Sequence, residues 1–188
     1  MIDFKKTHFV ISAPSLKEKP KDGKPALLFM GRSNVGKSTL INLLCGSRLA
    51  FSSKKAGKTK LLNYFLVDDS FYLVDAPGYG STIYANISTI NFAQTIEDYV
   101  LDPSLKGIVV LLDLRHEPGS DDVSFLRYLQ KTKVPLLFVL TKCDLMNQKE
   151  FAAAMKMASS LGLHDPVVSR GDIHSLDPLK SKIAHILE

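Results

Sequence analysis

The sequence predicts a three-layer α/β fold: a mostly parallel sheet, helices on both faces and one antiparallel edge strand. Three observations predict it. Apolar runs such as Gly107–Leu112 and Val134–Leu140 read as strands buried on both faces. Stretches of helical period alternate with them. Asp68-Asp69-Ser70, between Leu61–Val67 and Phe71–Val74, marks a hairpin that supplies the antiparallel strand.

The elements follow in order. Residues 1–24 read as an N-terminal arm, ending in a polar loop with Pro20 and Pro25 around it, and residues 25–188 read as one domain. Ala26–Met30 is a short strand that stops at Gly31. Ser38–Leu44 is a helix with Leu40, Ile41, Leu43 and Leu44 on its apolar face. The hairpin comes next, then a helix within Asn91–Leu101 and the strand Gly107–Leu112. Gly119-Ser120 opens a helix over Asp121–Gln130, followed by the strand Val134–Leu140. Asn147 with Glu150 three residues on is a capping box for a helix reaching about Leu161. Pro166–Ser169 is the last strand. Asp177-Pro178 is an N-cap with proline at the first helical position, and the final helix carries Leu179, Ile183, Ile186 and Leu187 on one side.

Size and composition agree with this. The 188 residues are 45% hydrophobic and 23% charged, an ordinary globular balance that excludes disorder and fibrous repeats. No apolar run approaches the ~18 residues that a membrane helix needs, and no apolar stretch follows the N-terminal lysines as in a secretory signal. A cytoplasmic protein without a membrane partner is expected. Cys45 and Cys143 lack the neighbours of a zinc site and read as free thiols. The net charge of +5 is uneven: residues 1–94 hold 13 Lys/Arg against 6 Asp/Glu, and residues 95–188 hold 11 against 13. The basic half suits an anionic partner.

In parallel α/β sheets ligands bind beyond the carboxyl ends of the strands, so each chemical motif should follow a strand. Gly31-Arg32-Ser33-Asn34-Val35-Gly36-Lys37-Ser38 fits G-x-x-x-x-G-K-[ST] between a strand and a helix. Its glycines let the backbone wrap phosphates, and the helix N-terminus adds partial positive charge. Lys37 can bridge the β- and γ-phosphates, and the Ser38 hydroxyl can ligate Mg²⁺. Asp75-Ala76-Pro77-Gly78 follows the second hairpin strand. Asp75 can hold Mg²⁺ through water, and the Gly78 N–H can meet the γ-phosphate. Between them, the basic stretch 52–60 contains Gly57-Lys58-Thr59-Lys60, and Thr59 is a candidate second protein ligand for Mg²⁺.

Thr141-Lys142-Cys143-Asp144 follows the strand 134–140. A carboxylate at Asp144 can accept from guanine N1–H and its 2-amino group, a donor pair that adenine lacks, which selects GTP over ATP. Val168-Ser169-Arg170 can present a backbone N–H to guanine O6. The expected nucleotide contacts are thus residues 31–38 with Thr39, 57–60 with Leu61, 75–78, 141–144 and 168–170. Lys37, Thr59 and Gly78 are the candidate catalytic residues; Ser38, Thr59 and Asp75 are the candidate metal ligands.

These motifs, in this order, resemble a P-loop NTPase of the Ras-like, TRAFAC-class GTPases. More narrowly, the chain resembles the EngB/YsxC/YihA family of bacterial ribosome-biogenesis GTPases. The resemblance runs from Phe9-Val10 and Ser12-Ala13-Pro14 through the phosphate loop and Leu61-Leu62-Asn63-Tyr64-Phe65. It continues through Asp75-Ala-Pro-Gly-Tyr-Gly80 and Asp113-Leu-Arg115-His116 with Asp122 to Thr141–Asp144. It implies GTP/GDP and Mg²⁺ binding, slow hydrolysis, and a role on the 50S ribosomal subunit precursor and its rRNA. Cell division is often associated with the family. No DNA partner is implied. The chain departs from the family's pattern at Ala56 and Lys58, where proline and arginine are usual. Residues 81–92 and the loop 168–170 also differ from the usual sequence.

Tyr79 stands where Ras-like enzymes carry a water-orienting glutamine, so intrinsic turnover is expected to be slow and raised by a partner or a cation. Asn34 occupies a position that in related GTPases helps bind K⁺. Arg115 is expected to pair with Asp122, and His8, His164, His174 and His185 are expected to be surface or satisfied structural residues. Two other functions compete: a signalling GTPase with a protein effector and no RNA, and a nucleotide kinase, which would need a helix-rich lid that the sequence lacks.

Overall fold

A computed structural model of the chain describes residues 2–50, 61–80 and 88–188, with backbone only over 88–92. The chain lays down β1 (Thr7–Ala13), β2 (Ala26–Gly31), α1 (Lys37–Cys45), β3 (Leu62–Val67), β4 (Phe71–Asp75) and α2 (Ser88–Val100). It continues with β5 (Leu105–Leu112), α3 (Ser120–Lys131), β6 (Leu136–Leu140), α4 (Gln148–Ser160), β7 (Val167–Val168) and α5 (Asp177–Leu187). Among the described residues, seven strands form one sheet in the order β1-β3-β4-β2-β5-β6-β7.

Every pairing from β4 to β7 is parallel, and β3 alone runs against its neighbours. The antiparallel strand is present as expected, but it is not the edge. Residues 1–24, expected as an arm, contribute β1, which pairs with β3 from Thr7↔Val67 to Ala13↔Leu62. Alternation in β1 is too weak to have marked it as a strand: Phe9, Val10 and Ile11 are all exposed, and the register slips between Phe9 and Ile11. Three further contacts tie this region down. Asp68 Oδ2 accepts the Asp3 N–H at 2.9 Å, the Tyr72 hydroxyl donates to Asp22 at 2.8 Å, and Lys19 pairs with Asp102 at 2.6 Å.

Alternation along the central strands divides the core. Leu28 and Met30 of β2 and Ile108 and Val110 of β5 pack with Ile96 and Tyr99 of α2, Leu126 and Leu129 of α3, and Ala154 and Ala158 of α4. Leu27 and Phe29, with Val109 and Leu111, face Leu40, Ile41 and Leu44 of α1 and Leu179 and Ile183 of α5. Helices therefore cover both faces of a nearly all-apolar sheet. Both cysteines are free and buried. Among the described residues no helix is long and apolar enough to cross a membrane.

Local signals placed most ends correctly. The hairpin turns through Asp68 and Asp69, both with positive φ (46° and 51°), a conformation that Asp tolerates better than most residues. Asn147 and Glu150 form the reciprocal capping box. At the last helix the structure shifts the expected start. Asp177 is the first helical residue rather than the N-cap, because the 3₁₀ turn His174–Leu176 runs directly into α5.

Helix α2 is fixed by a buried hydroxyl pair, Tyr64 on β3 with Tyr99. Burial pushes the Tyr64 hydroxyl up to about 12, so it stays protonated and available as a donor. Tyr99→Phe leaves the Tyr64 hydroxyl buried with its partner gone and should cost about 1–3 kcal/mol in urea unfolding. The double variant Tyr64→Phe, Tyr99→Phe should recover part of that loss; strictly additive losses would show that the pair contributes nothing.

Candidate functional site

The parallel strands end in one row, and the motifs meet there. β2 ends at Gly31, where a Cβ would lie 2.7 Å from Val35 Cγ1 and 3.0 Å from the Leu111 carbonyl. Only glycine lets the chain turn there without displacing β5. The loop then passes through Asn34 (φ 65°) and Gly36 (φ 102°) into α1. Helix α1 begins with no side-chain cap and no acidic residue in its first turn, so no carboxylate of its own offsets its N-terminal dipole. Ser38 is half-buried in that turn, and Thr39 is exposed.

β4 ends at Asp75, opposite Phe29 of β2 in the parallel ladder. The Lys37 ammonium, on the neighbouring helix start, pairs with the Asp75 carboxylate. Both side chains are about nine-tenths buried. Burial pushes Lys37 down to about 8. An ammonium this poorly hydrated needs anionic oxygens, and Asp75 supplies one. Ala76 is buried and donates its N–H to the Phe29 carbonyl at 3.0 Å; Pro77 is half-buried. Gly78 lies against the phosphate loop: a Cβ there would be 3.0 Å from Ser33 Cα.

The third turn follows β6 and is fastened to the first. The buried Thr141 hydroxyl donates to the Val35 carbonyl at 2.7 Å, and Lys142 Nζ donates to the Asn34 carbonyl at 2.6 Å. Lys142 also lies 3.3 Å from Asp113. Burial acts to raise the Asp113 carboxyl, but Arg115 and Lys142 outweigh it and hold it down at about 2. Arg115 forks onto Asp113 at 2.9 and 2.8 Å, not onto Asp122 as expected. Asp122 pairs instead with Arg32 at 2.7 Å. A partner two residues away beats one on the next helix.

Cys143 is buried, and burial pushes its thiol up to about 11, so it shapes the turn rather than reacting. Asp144 is exposed in the 3₁₀ turn Cys143–Leu145, and a Cβ at Gly171 (φ 75°) would lie 3.8 Å from its Oδ1. In the loop after β7, the N–H groups of two expected contacts already have partners. Ser169 donates to the Leu140 carbonyl at 2.8 Å, and Arg170 donates to Ser175 Oγ at 3.1 Å. A guanine O6 there would compete with Ser175 for the Arg170 N–H. The Arg170 guanidinium lies 5.5 Å over the Phe151 ring. Gly171 and Ser175 belong to no motif in the sequence; a glycine right after Arg170 is the one local signal of the turn.

Gly57, Lys58, Thr59 and Lys60 lie outside the described residues, as does 81–87. Leu61 is half-buried at the start of the second described segment. What the described residues bring together is a bent, glycine-shaped loop with a buried lysine and an adjoining carboxylate, and beside it a turn ending in an exposed carboxylate. That set can cradle a polyphosphate and read a base edge.

Known proteins resemble this chain in sequence and fold. A family model described as "50S ribosome-binding GTPase" matches residues 26–142. A probable GTP-binding protein EngB of Lactobacillus acidophilus is 44% identical over 148 residues, covering 78% of this chain and 76% of that one. A probable GTP-binding protein EngB of Porphyromonas gingivalis is 45% identical over 148 residues, covering 76% and 72%. The crystal structure of a probable GTP-binding protein engB superposes with TM-score 0.66 at 21% identity, over 86% of this chain and 98% of that one. Era from Aquifex aeolicus, bound to GDP and aluminium fluoride, also gives 0.66 at 21% identity, over 87% and 56%. At that identity the solved structures speak for the fold alone.

Thr141→Val removes only the hydroxyl that ties the third turn to the first. It should lower stability by about 1 kcal/mol in chemical unfolding, the typical net worth of one such bond. No change would mean that the Val35 carbonyl finds another donor at no cost.

Proposed function

This chain belongs to the EngB family of GTP-binding proteins, and we propose that it uses GTP hydrolysis as a switch in assembly of the large ribosomal subunit. It is a GTPase. The observation that carries the detailed reading is the fastening of the 141–144 turn to the phosphate loop through Val35 and Asn34. That contact sets base recognition and phosphate binding at a fixed distance.

In this reading the β- and γ-phosphates take over the Lys37 ammonium, which poor hydration favours. Asp75 is then free to serve magnesium with Ser38 and, outside the described residues, Thr59. Carboxylate and hydroxyl oxygens at adjoining ends of β4 and α1 suit this hard cation, which keeps several coordination places for phosphate and water. Magnesium, when bound, supplies charge neutralisation across the phosphates. The Gly78 N–H meets the γ-phosphate. Asp144 accepts from guanine N1–H and the 2-amino group. Water attacks the γ-phosphorus in line, the bond to the β-phosphate oxygen breaks, and GDP and phosphate leave.

Tyr79 does not orient that water. Its ring packs edge-on to Phe125 of α3 with centroids 5.2 Å apart, which commits it to the helix. Intrinsic hydrolysis is therefore slow. Asn34, exposed at the loop's outer bend, is the residue through which K⁺ would raise it.

The family's description as ribosome-binding, together with the basic first half of the chain, supports rRNA of a 50S precursor as the partner, in the cytoplasm. Sedimentation with large ribosomal subunits tests this. The chain should co-pellet with a non-hydrolysable GTP analogue and several-fold less with GDP. Binding should fall roughly tenfold or more between low and moderate salt, as counterion release requires. Equal pelleting in both nucleotides, or capture of a protein partner that survives RNase while subunits are ignored, would replace the ribosomal role with a signalling one.

A further inference from the structure

Arg32 is the second residue of the phosphate loop, yet its side chain reaches away toward α3. Its Nη1 lies 2.7 Å from Asp122 Oδ2, and its Nη2 donates to the Gly80 carbonyl at 3.3 Å. Asp122 is buried in the first turn of α3, and the same Oδ2 accepts the Gly119 N–H at 3.0 Å. The carboxylate is thus aimed by the start of its own helix before Arg32 reaches it. Gly80 has φ 81°, and a Cβ there would be 3.1 Å from the guanidinium carbon. The guanidinium therefore lies directly on the backbone at a position that only glycine fills without strain.

The residues just before Gly80 are held to the same two elements. Ser33 donates its N–H to the Tyr79 carbonyl at 2.9 Å, and Tyr79 donates to the Gly31 carbonyl at 3.3 Å, one rung of a parallel ladder. The Tyr79 ring rests on Phe125, three residues beyond Asp122 and so on the same side of α3. Gly78 touches Ser33. Gly78–Gly80 is clamped between the phosphate loop and α3, and Arg32 is the side chain that bonds both the helix and the clamped segment.

We infer that the Arg32–Asp122 clasp positions the Gly78 N–H for the third phosphate and so strengthens the binding of GTP relative to that of GDP. The inference rests on the nucleotide reading above and adds a positioning pair to it. The physical reason is ordering. A segment that must be fixed when the γ-phosphate arrives costs affinity in proportion to its freedom, and a clasp formed beforehand removes that cost. GDP has no γ-phosphate and draws nothing from Gly78, so its affinity is indifferent to the clasp. A guanidinium fork suits the task because it can hold a carboxylate and a carbonyl at once.

The test compares full-length wild type with Asp122→Asn, Arg32→Gln and the double variant, titrated with GDP and with a non-hydrolysable GTP analogue in Mg²⁺. Asp122→Asn keeps an oxygen for the Gly119 N–H and loses the charge. Each single variant should weaken the analogue about tenfold more than it weakens GDP. The double variant should be no worse than either single one, since all three remove one interaction. Arg32→Lys, which keeps the charge but not the fork, should recover part of the analogue affinity. Equal weakening of both nucleotides, fully additive losses, or unchanged analogue binding would each overturn the clasp. If Asp122→Asn does not fold, Arg32→Gln decides alone, because Asp122 retains its bond to Gly119 there. Wild type that binds neither nucleotide would instead overturn the nucleotide reading itself.

Discussion

Parallel pairing of β4, β2, β5, β6 and β7 is the constraint on which the site depends. Parallel strands in one sheet all finish at the same edge, so turns far apart in sequence are delivered to one rim. Phe29 stands opposite Asp75, Gly31 opposite Leu111, and Leu140 opposite Val168. With those registers fixed by apolar layers on both faces, Lys37, Asp75 and the turn that begins at Thr141 converge with little further instruction. A slip of one residue would exchange the two faces of a strand and misfit both apolar layers, so the core that stabilises the fold also enforces the geometry of the rim.

The second layer of organisation is polar and local to the rim. Each turn is tied to the phosphate loop by a different bond: Lys37 with Asp75, Thr141 with Val35, Lys142 with Asn34, and Ser33 with Tyr79. The phosphate loop is therefore the hub. Its glycines keep the hub compact: Gly31 admits β5, and Gly36 supplies a left-handed residue just ahead of α1. Much of this polar set is buried and satisfied, and among the described residues no buried side-chain nitrogen or oxygen lacks a partner. Such networks specify one arrangement because any other would leave polar atoms unpaired.

The sequence was most legible where local chemistry decides structure. The strand–loop–helix of residues 26–45, the Asp68-Asp69 turn and the Asn147–Glu150 box are written in neighbouring residues, and each lies where those residues imply. Strand β1 was not legible, because its exposed Phe9, Val10 and Ile11 lack the alternation that marks a half-buried strand. The ion pairs were not legible: Arg115, expected on Asp122, takes Asp113 two residues away, while Arg32 finds Asp122 across ninety residues, a pairing that exists only once the sheet has brought the rim together. The same holds for Ser175, whose claim on the Arg170 N–H depends on how the loop folds back before α5.

The central claim is that the turn carrying Asp144 reads a guanine base held in register with the phosphate loop. Its most direct measurement is the binding of GTP and xanthosine triphosphate to wild type and to Asp144→Asn, by calorimetry with Mg²⁺ present. A carboxylate pairs with the 2-amino group of guanine; an amide N–H pairs with the 2-carbonyl of xanthine. Wild type should favour GTP by a factor on the order of 10² or more, and the variant should reverse the order. If the variant keeps the wild-type ratio of the two ligands, Asp144 does not touch the base and the account of the site fails.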